Sequence, residues 1–296
     1  MSETAYTNLI GAHGLVWAGG WSPEEARYSI ESTKRAGYDL IEILFMNPRG
    51  VDAALTRRLL DEYEVQASAS LGLSLDTDVS SEDEERVKAG EAVLADALHV
   101  AEKVGLVYLG GVLFGALSKY AQPVTERGRA NSIGAVRRFC DAAADSGITI
   151  GLEIVNRYES NLLNTARQAV EYVREVDRPN LVIHLDTYHM NIEEVDNYAA
   201  VLECGDLLGY VHIGESHRGY LGSGSVDFAG LFRGLGAIDY SGPITFESFS
   251  SKVVMPELSH TLAIWRDLWD DSMDLATQAR SFIDAQLRAV ASQRHH

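Results

Sequence analysis

The feature that most constrains this chain is an alternation that never breaks. Eight short apolar segments of strand type lie at residues 9–17, 38–45, 65–73, 107–114, 148–155, 181–186, 208–214 and 243–249, separated by longer stretches of helical periodicity. Strands that alternate with helices pair in parallel, because each helix returns the chain to the same end of the sheet. Eight of them, with no linker or compositional break between, predict a closed (β/α)8 barrel of the α/β class rather than an open doubly wound sheet. One domain over residues 1–296 is expected, a length such a barrel accommodates. End signals punctuate the helical stretches: Ser22 as N-cap and Pro23 at the first position of a helix over 23–36, Ser81 before a helix over 82–104 closed by Gly105, and Gly147 after a helix over 125–145. The apolar tail over 255–290 supplies the last helices, including one beyond the eight-fold repeat, and Arg294, His295 and His296 read as a frayed end or a tag remnant.

Charge excludes some partners. With 25 Lys and Arg against 43 Asp and Glu, the net charge of −18 leaves little for the basic face that a nucleic acid needs. No apolar run is long enough to span a membrane, and the first residues lack the basic and apolar regions of a secretory signal, so a cytoplasmic protein is expected. Cys140 and Cys204 fall in helical stretches and read as reduced thiols packed like small apolar groups.

Side chains on a barrel strand alternate between the interior and the helix layer, so the inward residues can be read strand by strand. On the fifth, Ile148, Ile150, Leu152 and Ile154 form the outward row, which places Glu153 inward with Thr149 and Gly151. On the sixth, Leu181, Ile183 and Leu185 point out, leaving Val182, His184 and Asp186 inward. The same parity turns His212 inward with Tyr210 on the seventh strand, and Glu247 inward with Thr245 on the eighth. Any one of these taken alone would be read as a hydrogen-bonded core residue. Four in succession at the C-terminal strand ends, where barrel active sites lie, are another matter. Three carboxylates aimed into one space would repel one another and resist desolvation, and a divalent cation removes both difficulties. Three acids and one imidazole make a hard, oxygen-rich site that suits Mn²⁺, Co²⁺ or Mg²⁺, with positions left open for two adjacent substrate oxygens. Glu42, inward on the second strand, reads as a supporting acid, and Glu215 and His217 as solvated loop residues.

The segments LEIVNRYESNLLNT, HLDTYHMNIEE, GYVHIGESHRGYLGSGSVDF and FESFSS resemble the ketose 3-epimerases, a group of D-tagatose, D-allulose (D-psicose) and L-ribulose 3-epimerases within the sugar-isomerase TIM barrels. The similarity extends to HGLVW near the start and IWRDLW near the end. It implies that Glu153, Asp186, His212 and Glu247 ligate one metal ion, that Glu153 and Glu247 are the acid/base pair, and that Glu159, His189 and Arg218 bind the O1–O2 end of the sugar. It further implies that His13, Trp17 and Phe249 line the pocket, and that the protein is a homodimer or homotetramer acting on a free ketose. Leu117 stands where some members carry tryptophan, and His13 where some carry another aromatic residue. These positions bear on the preferred sugar, for which the D-allulose and L-ribulose branch is the expectation.

The implied reaction removes a proton from C3 beside the ketone, passes through a cis-enediolate, and returns a proton to the other face using two glutamates. Aldose–ketose isomerisation or polyol dehydration on the same scaffold is the alternative. A metal-dependent endonuclease stands further off, because it needs more histidines than the inward positions offer and a less acidic surface. RGYLGSGS, residues 218–225, reads as a flexible rim loop rather than a phosphate cradle, since it contains no lysine.

Overall fold

The computed structural model describes residues 6–293, so the terminal Arg294, His295 and His296 lie outside the described residues. Eight parallel strands close in sequence order into a barrel: β1 (Ile10–His13), β2 (Leu40–Leu44), β3 (Gln66–Leu73), β4 (Tyr108–Ala116), β5 (Thr149–Ile154), β6 (Leu181–Asp186), β7 (Leu208–Ile213) and β8 (Ile244–Phe246). Around it run α1 (Pro23–Arg35), α2 (Ala53–Tyr63), α3 (Glu84–Val104), α4 (Glu126–Ala143), α5 (Ala166–Val176), α6 (Thr187–Glu193), α7 (Asn197–Cys204) and α8 (Phe228–Ala237). After β8 come α9 (Pro256–Thr261) and the long α10 (Ser272–Gln293), which lays Leu275, Ala276, Ala279 and Ile283 against the barrel wall, all fully buried. Tyr38, at the start of the β2 segment, donates its hydroxyl to the Ala276 carbonyl at 2.8 Å and ties α10 to the barrel. Among the described residues, no helix is long and apolar enough to cross a membrane.

The helix ends follow from their sequences. Ser22 and Glu25 form a reciprocal capping box at the head of α1, and Thr165 and Gln168 do the same for α5. Each such cap stabilises its helix by roughly 1 kcal/mol. The head of α3 differs from expectation: the cap is Asp83, whose carboxylate accepts the Glu85 amide, and Ser81 instead accepts the amide of Asp83 itself. At its other end α3 stops at Gly105, with φ of +83° in the left-handed region that glycine tolerates best.

The interior confirms the strand parity. Tyr108 and Tyr210 stack inside the barrel with centroids 4.2 Å apart, and the Tyr210 hydroxyl reaches Ser68 at 2.8 Å and Thr245 at 2.7 Å. Gly151 is inward on β5, where a Cβ would lie 1.8 Å from the Tyr108 hydroxyl oxygen, so glycine there makes room for the tyrosine. This polar belt plugs the middle of the barrel and leaves the strand C-termini open above it. Two strands are shorter than the sequence suggests. Past His13 the chain turns into a 3-10 helix, Gly14–Val16, and past Phe246 the ladder ends with the Glu247 amide bonded to the Ile213 carbonyl at 3.0 Å.

Candidate active site

Glu153, Asp186, His212 and Glu247 converge at the strand ends, each offering a ligand-type atom within 4.8 Å of every other. Register explains the convergence: Asp186 is paired with His212 across β6 and β7, and Glu247 follows directly on β8, which pairs with β7. His212 and Asp186 are each oriented by a further contact. Glu42 on β2 accepts from His212 Nε2 at 2.8 Å, which turns Nδ1 toward Glu153 Oε1 at 3.4 Å and Glu247 Oε2 at 3.5 Å. Asp186 is also the N-cap of α6, its Oδ1 accepting the Tyr188 amide at 2.7 Å.

Two buried atoms of this group, Asp186 Oδ2 and His212 Nδ1, make no hydrogen bond. Leaving such atoms unsatisfied costs about 1–3 kcal/mol each, more when charged. Arg218 Nη1 stands 3.0 Å from Asp186 Oδ2, an ion pair that lacks hydrogen-bond alignment. A divalent cation among these atoms would satisfy both, and three carboxylates with one imidazole are the donor set that a hard ion takes. One inward step deeper on β6, His184 lies with its ring 4.1 Å from that of His212, its Nδ1 3.1 Å from the Tyr108 hydroxyl and its Nε2 unpartnered.

The two glutamates are electrostatically unlike. Burial, reinforced by the charges of Glu247 and Asp186 and opposed by His212, pushes Glu153 up to about 7. Burial also acts on Glu247, but the charges of Arg218 and His212 outweigh it and hold that carboxyl well below its usual range. Arg218 Nη1 donates to Glu247 Oε2 at 2.5 Å. Its guanidinium lies 3.9 Å from the ring centre of Tyr188 and 4.8 Å from that of Phe249, so both faces are fixed. The Arg218 backbone takes φ of +60°, a strained value for a side-chain-bearing residue, and is held there by its amide on the Glu215 carbonyl and its carbonyl on the Ser248 hydroxyl.

His189 on α6 is neutral, because burial pushes its pKa down to about 4. Its Nδ1 accepts the backbone amide of Asn156 at 3.2 Å, with the Asn156 side-chain nitrogen at 2.8 Å. That leaves the proton on Nε2, which faces Asp186 Oδ2 at 3.5 Å and Glu153 Oε1 at 3.9 Å. The same Asn156 nitrogen donates to Glu159 Oε1 at 2.8 Å. Asn156 therefore orients two of the expected substrate-binding residues at once, and sequence reasoning passes over it. Its signal is an asparagine directly after a strand, able to fold the loop by an Asx turn, as it does by accepting the Tyr158 amide.

His13 is buried, its Nδ1 accepting the Leu15 amide and its Nε2 lying 3.8 Å from Glu42 and 3.9 Å from Glu247. Phe249 meets it edge-on at 6.0 Å, and both line the cleft. Trp17, expected on the pocket wall, packs instead into the hydrophobic core. The 3-10 turn that follows β1 carries it past the cleft, its amide closing on the Gly14 carbonyl. Glu215 also departs from expectation. It is fully buried, and its carboxylate accepts the amides of Ser216, Gly222 and Val226, so the rim loop is tied around it rather than left solvated. His217 stays on the half-buried surface beside Ser223. Above the site opens a cleft of about 220 Å³, with Glu153, Glu159, His189, Arg218 and Glu247 on one wall and Leu15, Leu44, Phe45, Leu71, Val112 and Leu117 on the other.

A parallel eight-stranded barrel with an acid- and histidine-lined mouth defines a class, and the chain belongs to the xylose isomerase-like TIM barrel family, whose model matches residues 30–279. Within that class it is similar to the ketose 3-epimerase of Arthrobacter globiformis, with 53% identity over 281 residues covering 95% of this chain and 97% of that one. It is likewise 55% identical over 273 residues to the L-ribulose 3-epimerase of Methylomonas sp., covering 92% and 96%. The crystal structure of a D-allulose 3-epimerase from Methylomonas sp. in complex with D-allulose superimposes with a TM-score of 0.93 at 53% identity, over 95% of this chain and 98% of that one. These relatives are isomerase-class enzymes that act on ketoses.

Proposed function

We propose that this protein epimerises free ketoses at C3, with Glu153 and Glu247 exchanging the proton and a single divalent ion held by Glu153, Asp186, His212 and Glu247. The observation that carries this reading is the convergence of the two glutamates on His212 Nδ1, at 3.4 and 3.5 Å, within one cluster that also holds Asp186. The bound ion, Mn²⁺ in our reading with Co²⁺ or Mg²⁺ as substitutes, supplies Lewis-acid stabilisation of the charge that develops when C3 loses its proton.

The chain's own groups do the rest. One glutamate takes the C3 proton and the other returns one to the opposite face, the roles exchanging with the direction of reaction. The Nε2–H of His189 and the guanidinium of Arg218 donate to O2 of the enediolate as it becomes negative. Glu159, held by Asn156, receives the O1 hydroxyl. His13 and Phe249 border the sugar on the β1 and β8 side. D-Allulose and L-ribulose are the preferred substrates in this reading, and a cytoplasmic homodimer or homotetramer is the working form.

The test is a panel of D-fructose, D-allulose, D-tagatose and L-ribulose in D₂O, followed by NMR of the C3 proton with Mn²⁺ and after chelation. Interconversion at C3 with deuterium incorporation, abolished by chelation and restored by Mn²⁺, is the expected result. Aldose formation without C3 inversion, or full activity after chelation, would overturn the reading.

A further inference from the structure

A second cavity, of about 180 Å³, opens on the same barrel mouth beside the catalytic cleft. The two share Glu159, Arg218, Phe249 and Leu262, so the guanidinium of Arg218 and the Phe249 ring form the partition between them. The outer cavity is lined on its far side by Trp265 and Arg266, with Ser216 and His217 at its edge. Trp265 is 69% exposed, a large apolar surface left in water.

This tryptophan is displayed by a pinned segment. On one side, the Ile264 amide bonds to the Ser259 carbonyl at 2.8 Å and the Ser259 hydroxyl returns to the Ile264 carbonyl at 2.5 Å. On the other, the buried Trp269 donates its indole N–H to Ser248 at 2.8 Å, the hydroxyl that also holds the Arg218 backbone. Between these anchors the chain turns through Ala263, whose φ of +53° is costly for alanine, and brings Trp265 out beside His260 with ring centres 5.9 Å apart. An exposed indole face next to a guanidinium, an imidazole and a hydroxyl is the chemistry that receives a sugar ring: apolar C–H groups lie on the ring while the hydroxyls find polar partners.

We propose that this outer cavity is a glycosyl subsite, so that the protein also epimerises ketoses carrying a sugar on O1. The inference rests on the reading of the catalytic cleft given above, in which Glu159 and Arg218 mark the O1–O2 end of the substrate. Those two residues line both cavities, so the outer one lies directly beside the O1 end of the substrate. The opposite end of the cleft is mostly apolar, lined by Leu44, Phe45, Val112 and Leu117 with Ser70 and Ser74, and offers a polar ring few partners. A glycosidic bond at O1 leaves C2 free to open to the ketone, and the proton balance at C3 is that of the parent reaction.

The experiment compares D-fructose with two glucosyl-fructose disaccharides, linked through O1 and through O6, by C3 deuterium incorporation in D₂O with the Mn²⁺-loaded protein. Exchange of D-fructose and of the O1-linked disaccharide, without the O6-linked one, is expected. Trp265→Ala should raise KM for the O1-linked disaccharide about tenfold and leave that for D-fructose within about twofold, and Arg266→Ala should shift it in the same direction. Exchange of D-fructose alone would overturn the subsite and spare the parent reading, whereas no exchange of D-fructose would overturn both. Equal use of the two disaccharides, or an O1-linked activity indifferent to both substitutions, would also overturn the subsite.

Discussion

The two walls of the catalytic cleft are built on opposite physics. The wall formed by the ends of β5 to β8 carries charged and hydrogen-bonding groups, each aimed by a partner: His212 by Glu42, His189 by Asn156, Arg218 by Tyr188, Phe249 and Ser248. The wall formed by β1 to β4 is mostly aliphatic, with Leu15, Leu44, Leu71, Val112 and Leu117, and carries His13, Ser70 and Ser74 as its polar members. Hydrogen bonds and ion pairs are directional, so small displacements on the first wall are costly, whereas volume-conserving changes on the other are tolerated. On the proposed function, the reacting groups stand on one half of the barrel, braced by Glu42 from β2, and the choice of sugar falls to the other half.

Four substitutions put this division at risk, in decreasing order of effect. Glu153→Gln and Glu247→Gln keep the side-chain shape and remove proton transfer, so C3 exchange should fall by about 10²–10⁴-fold or more. Solvent-deuterium incorporation measured by NMR checks this, and exchange at the full rate in either variant would end the acid/base assignment. Asn156→Ala removes the shared donor to His189 and Glu159, and should lower kcat by roughly 10–100-fold with a smaller change in KM, the usual consequence of losing a residue that orients a functional group. A changed His189 tautomer in ¹⁵N NMR would accompany it, and an unchanged kcat would remove Asn156 from the account. Leu117→Ala, on the aliphatic wall, should alter the ratio of kcat/KM between two ketoses by about tenfold or less, while the better substrate keeps most of its kcat. Steady-state kinetics on D-allulose and L-ribulose measure this, and a collapse of kcat comparable to that of the glutamate variants would mean the walls are not separable.

The division also explains what can be read without coordinates. Glu153, Asp186, His212 and Glu247 are legible because the two-residue alternation of a strand is local, and the apolar rows around them settle which way each points. The barrel follows from the same pattern repeated on eight segments. Residues set by contacts distant in sequence are not legible. Glu215 resembles a solvated acid until Gly222 and Val226 bring their amides back to it. Trp17 follows a strand whose parity ends four residues earlier, at His13, so alternation has no authority over where it packs. Asn156 sits in a loop, and its importance lies in bonds to His189, which is thirty-three positions away. The cap of α3 escapes for a smaller reason, since Ser81 and Asp83 both have the right chemistry and only the backbone course decides between them.

Asp186 joins two of these tasks in one carboxylate. Oδ1 fastens the opening turn of α6, while Oδ2 faces the cage of acids. His189 rides on that same turn and is held from its other side by Asn156. In the proposed reading, one carboxylate therefore ties the ion site to the helix that carries the imidazole.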